Sequence, residues 1–429
     1  MSSGVLLIFV ILAFCMSISL PIGVSLGVAT AVTMAVTTNL KLLSIPQSCF
    51  GGLDSFPLMA IPFFILAGNL MKYGGISQRL LDFSGSVVGS IRGGLGMVTI
   101  LSSMFFAAIS GSAPATVTAI GSITIPEMKN KGYDLGYAAA LTASAGTIGV
   151  IIPPSIPFVI YGVMSGASIG GLFMAGIIPG VMIGIGLMLV NYIAAKKYGY
   201  GGKTEAFSLR KAMISFKNAT FALLCPVIIL GGIYGGIFTP TEAAVVGIVY
   251  ALLVGAFIYR ELKWKDIYDA FRDTVLINGS TTFMVGLSLA FASYLTMAQV
   301  PATIAGGFLS ISSNPIIIFL MINLLLICIG CFIDNISSCV ILTPILLPIA
   351  VSMGMDPIQF GIVMTVNLAI GFITPPYGAN LFFASAIGHV SIERISQKII
   401  PFILVMVAIL LALTFIPALS MWLPNMLLK

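Results

Sequence analysis

The stretch Asp334–Asn380 begins with Asp-Asn-Ile-Ser-Ser and ends with Thr-Pro-Pro-Tyr-Gly-Ala-Asn. The residues that flank these two polar breaks are apolar enough to lie in a lipid bilayer. Backbone inside a bilayer must be helical or part of a closed barrel unless it lines a cavity within protein. We therefore expect both breaks to contribute to a binding site.

The composition indicates an all-α integral membrane protein. Of the 429 residues, 59% are hydrophobic and 7% are charged, whereas soluble chains carry about 25% charged residues. Long apolar runs favour helices over a barrel. The net charge of +6 comes from basic residues in short loops between apolar runs. This pattern is typical of cytoplasmic loops, so we do not expect nucleic acid as a partner.

The second half of the chain repeats the first at an offset of about 222 residues. Pro153-Pro154 falls on Pro375-Pro376 at this offset. Other matching pairs are Pro126 and Pro348, Gly132 and Gly354, Asp134 and Asp356, Gly149 and Gly371, and Pro179 and Pro401. Several Pro and Gly matches at one offset indicate an internal duplication.

Each repeat contains a predicted re-entrant hairpin followed by a predicted broken helix. The hairpins cover 93–128 and 314–352, because the halves beside each polar break are too short to span comfortably. The broken helices cover 134–165 and 357–388. Full or short spans are expected at 4–20, 21–38, 56–71, 169–195, 219–237, 241–259, 274–294 and 400–423, with 72–92 along the membrane surface.

The basic residues orient the chain in the membrane. When the chain is traced through the predicted spans, only Lys41 and Lys429 of its 19 Lys and Arg residues lie on the other side of the membrane from the rest. The basic side is predicted to be cytoplasmic, which places both termini in the periplasm and inverts the second repeat. Inverted repeats whose broken helices meet at the midplane are typical of secondary transporters. The chain has no nucleotide-binding loop motif.

The polar groups at the breaks predict one cation site in each repeat, with an anionic substrate between the hairpin tips. Helix N-termini attract anions, and sodium prefers hydroxyl, carbonyl and amide oxygens. The first sodium site is predicted at Ser110, Gly111, Ser112, Gly149 and Pro153. The second is predicted at Asp334, Asn335, Ser337, Gly371, Thr374 and Gly378. Substrate contacts are predicted at Ser112, Ala113, Thr116, Ser155, Asn335, Ser338 and Asn380.

Other roles remain open for several of these residues. Asp334 is an ion ligand, a proton carrier or a helix N-cap, and any single Ser or Thr can instead bond its own helix. Asn367 fits a hydrogen bond within the bundle as well as a substrate contact. No basic residue is predicted at the membrane centre, so the anion must be held by helix N-termini, hydroxyls, amides and bound cations.

At these residues the chain resembles the large permease (M) subunit of the tripartite ATP-independent periplasmic (TRAP) transporters, of the DctM/SiaM-like type. The motifs that carry the resemblance are Gly-Ser-Ala-Pro-Ala-Thr-Val from Gly111, Ile-Pro-Glu-Met from Ile125, Ile-Ile-Pro-Pro-Ser-Ile from Ile151, Gly-Gly-Ile-Tyr-Gly-Gly-Ile-Phe-Thr-Pro-Thr-Glu-Ala-Ala from Gly231, and Thr-Pro-Pro-Tyr-Gly-Ala-Asn-Leu-Phe from Thr374.

The resemblance implies a sodium-driven importer in a bacterial inner membrane, with at least two sodium ions. It implies a separate small membrane subunit (Q) and a periplasmic substrate-binding protein (P). It also implies an elevator mechanism, in which the hairpins and broken helices move as one transport domain. The substrate would be an organic acid anion, with sialic acid favoured over a C4-dicarboxylate or keto acid.

The elevator mechanism divides the chain into six segments. They are scaffold helices with an interfacial arm at 1–92, the first transport-domain hairpin and broken helix at 93–170, a span and cytoplasmic linker at 171–218, scaffold helices of the second repeat at 219–313, the second transport-domain hairpin and broken helix at 314–390, and a C-terminal span at 391–429.

Three other functions are alternatives to this prediction. A stand-alone divalent-anion/sodium symporter has a similar architecture and is the main alternative. An intramembrane enzyme would need a catalytic pair, but Asp334 has no second aspartate at matching depth and His389 lies in a predicted loop. The chain is therefore not expected to be an enzyme. A channel is the third alternative, and saturable flux that requires a sodium gradient would exclude it.

Overall fold

The computed structural model describes residues 3–38, 41–200 and 207–427, and every regular element in these ranges is helical. Lys429 and both chain ends, for which a periplasmic location is predicted, lie outside these ranges. The first ten helices are α1 (Ser3–Ser17), α2 (Ile22–Thr37), α3 (Ser44–Leu53), α4 (Ala60–Tyr73), α5 (Ile76–Val88), α6 (Gly94–Ser110), α7 (Ala113–Asn130), α8 (Leu135–Gly146), α9 (Ile156–Ser165) and α10 (Ile169–Tyr198).

Ten further helices follow. They are α11 (Leu209–Tyr234), α12 (Pro240–Leu253), α13 (Trp264–Met297), α14 (Val300–Ile311), α15 (Pro315–Gly330), α16 (Asn335–Ser352), α17 (Pro357–Gly371), α18 (Ala379–Gly388), α19 (Ile392–Phe415) and α20 (Ala418–Leu427). Seven helical segments of the described chain are long and apolar enough to cross a membrane. The protein is thus a multi-pass membrane protein, as its composition predicts.

The helix bounds reproduce the sequence repeat. Helices α7 and α16 have the same bounds after a shift of 222 residues, and α8 and α17 begin at equivalent positions. Ser112 and Asp334 both cap a returning hairpin helix, and Asp134 and Asp356 both cap the following helix. Both Pro-Pro peptide bonds are cis.

Several elements differ from the sequence prediction. The basic stretch 260–273, for which no helix was predicted, is mostly helical. Helix α13 begins at Trp264, and Asp266 accepts a bond from the Lys263 backbone N–H at 2.9 Å. Helix α14 occupies most of the stretch 296–313, which lies between a predicted span and the second predicted hairpin and was expected to be a loop. Helix α3 is a helix that no prediction included. The last predicted span stops at Phe415, and Pro417 separates it from α20, since proline disfavours continuation of a helix.

The helices pack as two groups. The scaffold group contains α1–α5 and α11–α13, in which α4 packs on α12 and α13 crosses α2, α3 and α4. The hairpin group contains α6–α10 and α15–α20. Helices α10 and α19, which contain the equivalent Pro179 and Pro401, pack against each other and against the broken helices. Helix α14 contacts both groups.

The two repeats interlock within the hairpin group. Helix α9 of the first repeat packs on hairpin helix α16, and α18 of the second packs on hairpin helix α7. Tyr161 Oη donates to the Pro357 carbonyl at 2.6 Å, and Asn380 Nδ2 donates to the Ala143 carbonyl at 3.0 Å. Each repeat therefore completes the packing of the other.

Aromatic side chains meet where the two groups pack against each other. Phe64 meets Phe173 with ring centroids 6.4 Å apart, and Phe83 meets Phe105 at 5.8 Å. Where both partners are described, every side-chain hydrogen bond and ion pair between different helices stays within one group. Among the described residues, no side-chain hydrogen bond or ion pair between helices therefore fixes the position of one group against the other.

Contacts bring basic segments together at helix ends. Arg79 bonds Glu261 at 2.8 Å and stacks over the Tyr259 ring at 3.7 Å. Arg394, at the start of α19, bonds Asp134 at 2.6 Å. Burial of Asp134 favours its neutral form, but the bonds from Arg394 and the Tyr137 N–H outweigh this effect and hold the pKa of the carboxyl below its ordinary value.

We expect Asp134→Asn to destabilise the protein by up to about 1 kcal/mol at pH 7, because the cap survives while a partly exposed ion pair is lost. The lowered pKa means that the ion pair contributes fully above the unfolded-state value of about 3.9 and is lost as pH falls through the folded-state value. Thermal unfolding in detergent at pH 7 and pH 3 measures this difference.

The matched control is Asp356→Asn, because Asp356 caps α17 at 2.7 Å without an ion pair among the described residues. It should be close to wild type at both pH values. An equal loss of stability in the two variants would contradict a contribution from the Arg394 pair.

Candidate functional site

Four helix N-termini meet in one cavity of about 570 Å³. The first residue of each of α7, α9, α16 and α18 lines it: Ala113, Ile156, Asn335 and Ala379. The first N–H groups of a helix have no intrahelical partner, and the helix dipole makes this end positive. The cavity therefore offers several positive backbone ends to one ligand, and its volume suits a small organic molecule.

The first hairpin tip forms a compact cluster of oxygen atoms. Ser110 Oγ and Thr116 Oγ1 lie 3.1 Å apart, and Thr116 Oγ1 donates to the Ser112 carbonyl at 2.8 Å. The broken helix of the same repeat contacts this cluster, since the Ile156 N–H donates to the Gly111 carbonyl at 3.3 Å. Ser112 Oγ accepts from the Ala115 N–H at 3.4 Å, so each of the three hydroxyls at this tip has a hydrogen-bond partner within the tip.

The second hairpin tip leaves polar atoms unpaired. Asp334 Oδ2 accepts from the N–H groups of Ile336 at 2.9 Å and Ser337 at 3.1 Å, which makes it an N-cap. Four neighbouring atoms are buried without a hydrogen-bond partner among the described residues: Asp334 Oδ1, Asn335 Nδ2, Ser337 Oγ and Ser338 Oγ. Each such group costs about 1–3 kcal/mol when left unpaired, so this cluster suits a polar or charged ligand.

Two equivalent glycines permit close approach at the breaks. A Cβ on Gly149 would lie 2.5 Å from both the Ser112 carbonyl oxygen and Thr116 Oγ1. A Cβ on Gly371 would lie 2.3 Å from the Gly330 backbone carbon. Each broken helix therefore packs against the hairpin of its own repeat at a distance that only glycine allows.

The cavity collects some of the predicted site residues and not others. Those that line it are Ser110, Gly111, Ser112, Ala113, Asp334 and Asn335. Those outside the lining are Thr116, Gly149, Pro153, Ser155, Ser337, Ser338, Gly371, Thr374, Gly378 and Asn380. Several residues outside the lining hydrogen-bond to their own helices or to nearby backbone. Ser155 caps α9 and donates to the Val150 carbonyl at 2.6 Å, and Thr374 donates to the Ile370 carbonyl at 2.8 Å.

Asn367 and Asn380 belong to the interior of the hairpin group. Asn367 Nδ2 donates to Asn323 Oδ1 at 2.8 Å and to the Val363 carbonyl at 2.7 Å. Of the two roles left open for Asn367, the geometry shows the bundle hydrogen bond. Asn380 is fully buried, and its Oδ1 has no partner among the described residues.

The scaffold wall of the cavity was not predicted from the sequence. It contains Asn69, Lys72 and Asp273, from α4 and α13. Asn69 Nδ2 donates to Thr274 Oγ1 at 3.0 Å, and Tyr73 Oη donates to Asp273 at 2.8 Å. No local signal marks these residues, because each is one of several polar residues of its helix and meets the hairpin tips only through tertiary packing. A basic residue, Lys72, thus reaches a cavity for which none was predicted.

The interlocked broken helices and the cavity at their N-termini define a membrane transport protein of the broken-helix type. A family model, the tripartite ATP-independent periplasmic transporter, DctM component, matches residues 9–419. The chain belongs to this family, the large permeases of TRAP transporters, which are transporter subunits rather than enzymes.

Relatives with assigned names agree on the family and differ in substrate. The isethionate TRAP transporter permease protein DctMQ of Oleidesulfovibrio alaskensis is 48% identical over 90% of this chain, which spans only 60% of that longer protein. The C4-dicarboxylate large permease DctM of Pseudomonas aeruginosa is 40% identical over 89% of each chain. The sialic acid large permease SiaM of Vibrio cholerae is 38% identical over 95% of each.

A solved structure shows the same fold at low identity. The YdaH transporter of Alcanivorax borkumensis superposes with a TM-score of 0.63 at 14% identity, covering 94% of this chain and 98% of that one. The sequence prediction of a TRAP large permease is therefore confirmed.

Proposed function

We propose that this permease imports a small organic anion by sodium-coupled symport. The observation that carries the proposal is the meeting of four helix N-termini in one cavity between the two helix groups. Positive helix ends stabilise an anion without a buried cationic side chain, each by about 0.3–1 kcal/mol. Such a site binds weakly enough to release its substrate.

The second hairpin tip supports a sodium site. Asp334 Oδ1, Ser337 Oγ and Ser338 Oγ are buried oxygens without partners among the described residues, and sodium is coordinated by such oxygens. The first tip offers Ser110, Ser112 and Thr116 oxygens within one cluster, whose hydroxyl hydrogens would have to turn away from an ion. We retain one sodium ion for each repeat and expect the second site to fit it better.

The packing supports an elevator mechanism. The hairpin group is held together by hydrogen bonds between its own helices, whereas its contacts with the scaffold group include the aromatic pairs Phe64–Phe173 and Phe83–Phe105. An interface of this kind can slide without breaking directional bonds. Because α10 and α19 pack with the hairpin group, we propose that they move with it. The re-entrant hairpins would carry the cavity wall across the membrane.

Charge supports the orientation. The ion pairs Arg79–Glu261 and Arg394–Asp134 lie at helix ends where basic segments meet, and this face is proposed to be cytoplasmic. The protein would then lie in a bacterial inner membrane with both termini in the periplasm. A small membrane subunit and a periplasmic binding protein are the proposed partners, in keeping with the family description and with the DctMQ name of one relative.

The proposed substrate class is a carboxylate or sulfonate of a few heavy atoms up to the size of sialic acid. The permease, reconstituted with its small subunit and binding protein, should take up one acid of a panel. The panel contains isethionate, sialic acid, a C4-dicarboxylate and a keto acid, each tested under separate sodium, potassium and proton gradients. We expect saturable uptake only under the sodium gradient.

The same assay decides between the proposal and its rival. Full uptake by this chain alone would support a stand-alone divalent-anion/sodium symporter. Uptake that follows the proton gradient and ignores sodium would reject sodium coupling.

Asn335→Ala and Thr374→Val should each raise the sodium concentration for half-maximal uptake by about three- to tenfold, because each removes one polar group worth about 0.5–1.5 kcal/mol from the second cation site. Both should insert normally in the membrane.

Matched controls lie on α11. Asn218 is exposed, and Thr220 makes the same kind of bond to its own helix as Thr374, at 2.9 Å. Asn218→Ala and Thr220→Val should behave as wild type. Unchanged sodium dependence in both site variants would remove the second cation site from the proposal.

A cross-link between the groups should stop transport. In a background without native cysteines, Phe64→Cys with Phe173→Cys should form a cross-link that abolishes uptake and is reversed by reductant. The control pair, Phe9→Cys with Phe291→Cys, has the same 6.4 Å ring separation but lies within the scaffold group. Cross-linking of this control should leave uptake unchanged. Full uptake with the first pair locked would contradict sliding of the two groups.

A further inference from the structure

Lys72 has an unusual position at the cavity. It is the only Lys or Arg among the described residues that line the cavity, which also contains both hairpin tips. It belongs to the last turn of α4, on the scaffold wall. Its ammonium lies 5.3 Å from the centroid of the Tyr73 ring. The cavity therefore has one formal positive charge, and the scaffold supplies it.

The neighbouring acid does not neutralise this charge by direct pairing. Asp273 lines the same wall, but its carboxylate accepts the Tyr73 hydroxyl hydrogen at 2.8 Å. Among the described carboxylates, none lies within 4.0 Å of the Lys72 ammonium. A lysine in the last turn of a helix also interacts favourably with the helix dipole. That interaction explains a basic residue at this position but not its place on the cavity wall.

We propose that Lys72 binds the anionic group of the substrate on the cytoplasmic side of the transport cycle. It would receive the carboxylate or sulfonate as the anion leaves the helix N-termini. This inference rests on the proposed function. It adds a residue that binds the substrate where the cavity opens to the cytoplasm. The class of ligand is an organic anion with a charged group free to leave the hairpin tips.

The position of Lys72 on the scaffold makes the proposed effect depend on the side of the membrane. The hairpin tips move in an elevator, whereas α4 stays in place. The tips can therefore meet Lys72 only while the cavity opens on the side where α4 ends. An anion that arrives from the opposite side would bind the tips beyond the reach of this ammonium. Loss of Lys72 should then weaken binding from one side alone.

Vesicles that contain the permease, its small subunit and external binding protein test this sidedness. External binding protein delivers substrate only to permeases whose periplasmic face points out of the vesicle. For these permeases, the vesicle lumen corresponds to the cytoplasm. Unlabelled isethionate, or the panel acid that the wild type carries, is loaded at increasing concentration inside. The measurement is the luminal concentration that halves the initial rate of labelled uptake.

Lys72→Gln should raise this luminal concentration about fivefold, the upper end for a charge pair screened by solvent, and leave the external KM unchanged. Raising luminal salt should weaken luminal inhibition in the wild type and have little effect in the variant. Lys72→Arg should restore most of the luminal effect. Lys265→Gln is the control, because Lys265 is exposed on α13 and lies outside the cavity lining.

Two outcomes would overturn the inference. One is a luminal inhibition constant that does not change in Lys72→Gln. The other is an equal change of the luminal constant and the external KM, which would show a general effect on the carrier. Absence of sodium-driven uptake by the wild-type complex would instead reject the proposed function, and the role of Lys72 with it.

Discussion

Unpaired backbone N–H groups at four helix starts impose the constraint on which the rest of the structure depends. A helix start leaves its first N–H groups without an intrahelical partner, and lipid cannot supply one. Side chains satisfy part of this demand, since Ser112, Ser155 and Asp334 cap three of the four helices. Helix α18 starts after Gly378 and has no side-chain cap. A polar cavity must therefore exist where these starts meet.

This cavity can persist only if the helices that form its walls keep fixed positions relative to each other. Bonds such as Asn380 to Ala143 and Tyr161 to Pro357 join the repeats at the broken helices, so the helix starts keep their mutual geometry. The opposite wall, with Asn69 and Asp273, is bonded within the scaffold group. The cavity thus lies between two internally bonded groups of helices, and the proposed motion of one wall against the other depends on this arrangement.

The sequence predicted the local features well and the tertiary ones poorly. Duplicated Pro, Gly and Asp positions predicted the helix breaks between α6 and α7, α8 and α9, α15 and α16, and α17 and α18, because breaks need these residue types at fixed places. Helix α14 was missed because a short apolar segment without charges does not reveal whether it is helix or loop. Lys72 was missed for a different reason. Its place on the cavity wall depends on how α4 packs against the hairpin group, which no periodicity encodes.

The duplicated tips are chemically unequal, and this difference bears on coupling. Ser112 and Asp334 occupy equivalent N-cap positions, but only the second brings a carboxyl group, one oxygen of which has no hydrogen-bond partner in the part of the chain that the structure describes. An anion at the helix N-termini would lie near Asp334, and like charges that share a site repel. A cation on the free oxygen would cancel that repulsion and satisfy the unpaired oxygens of Ser337 and Ser338. Cation and anion would then each favour binding of the other, as symport requires.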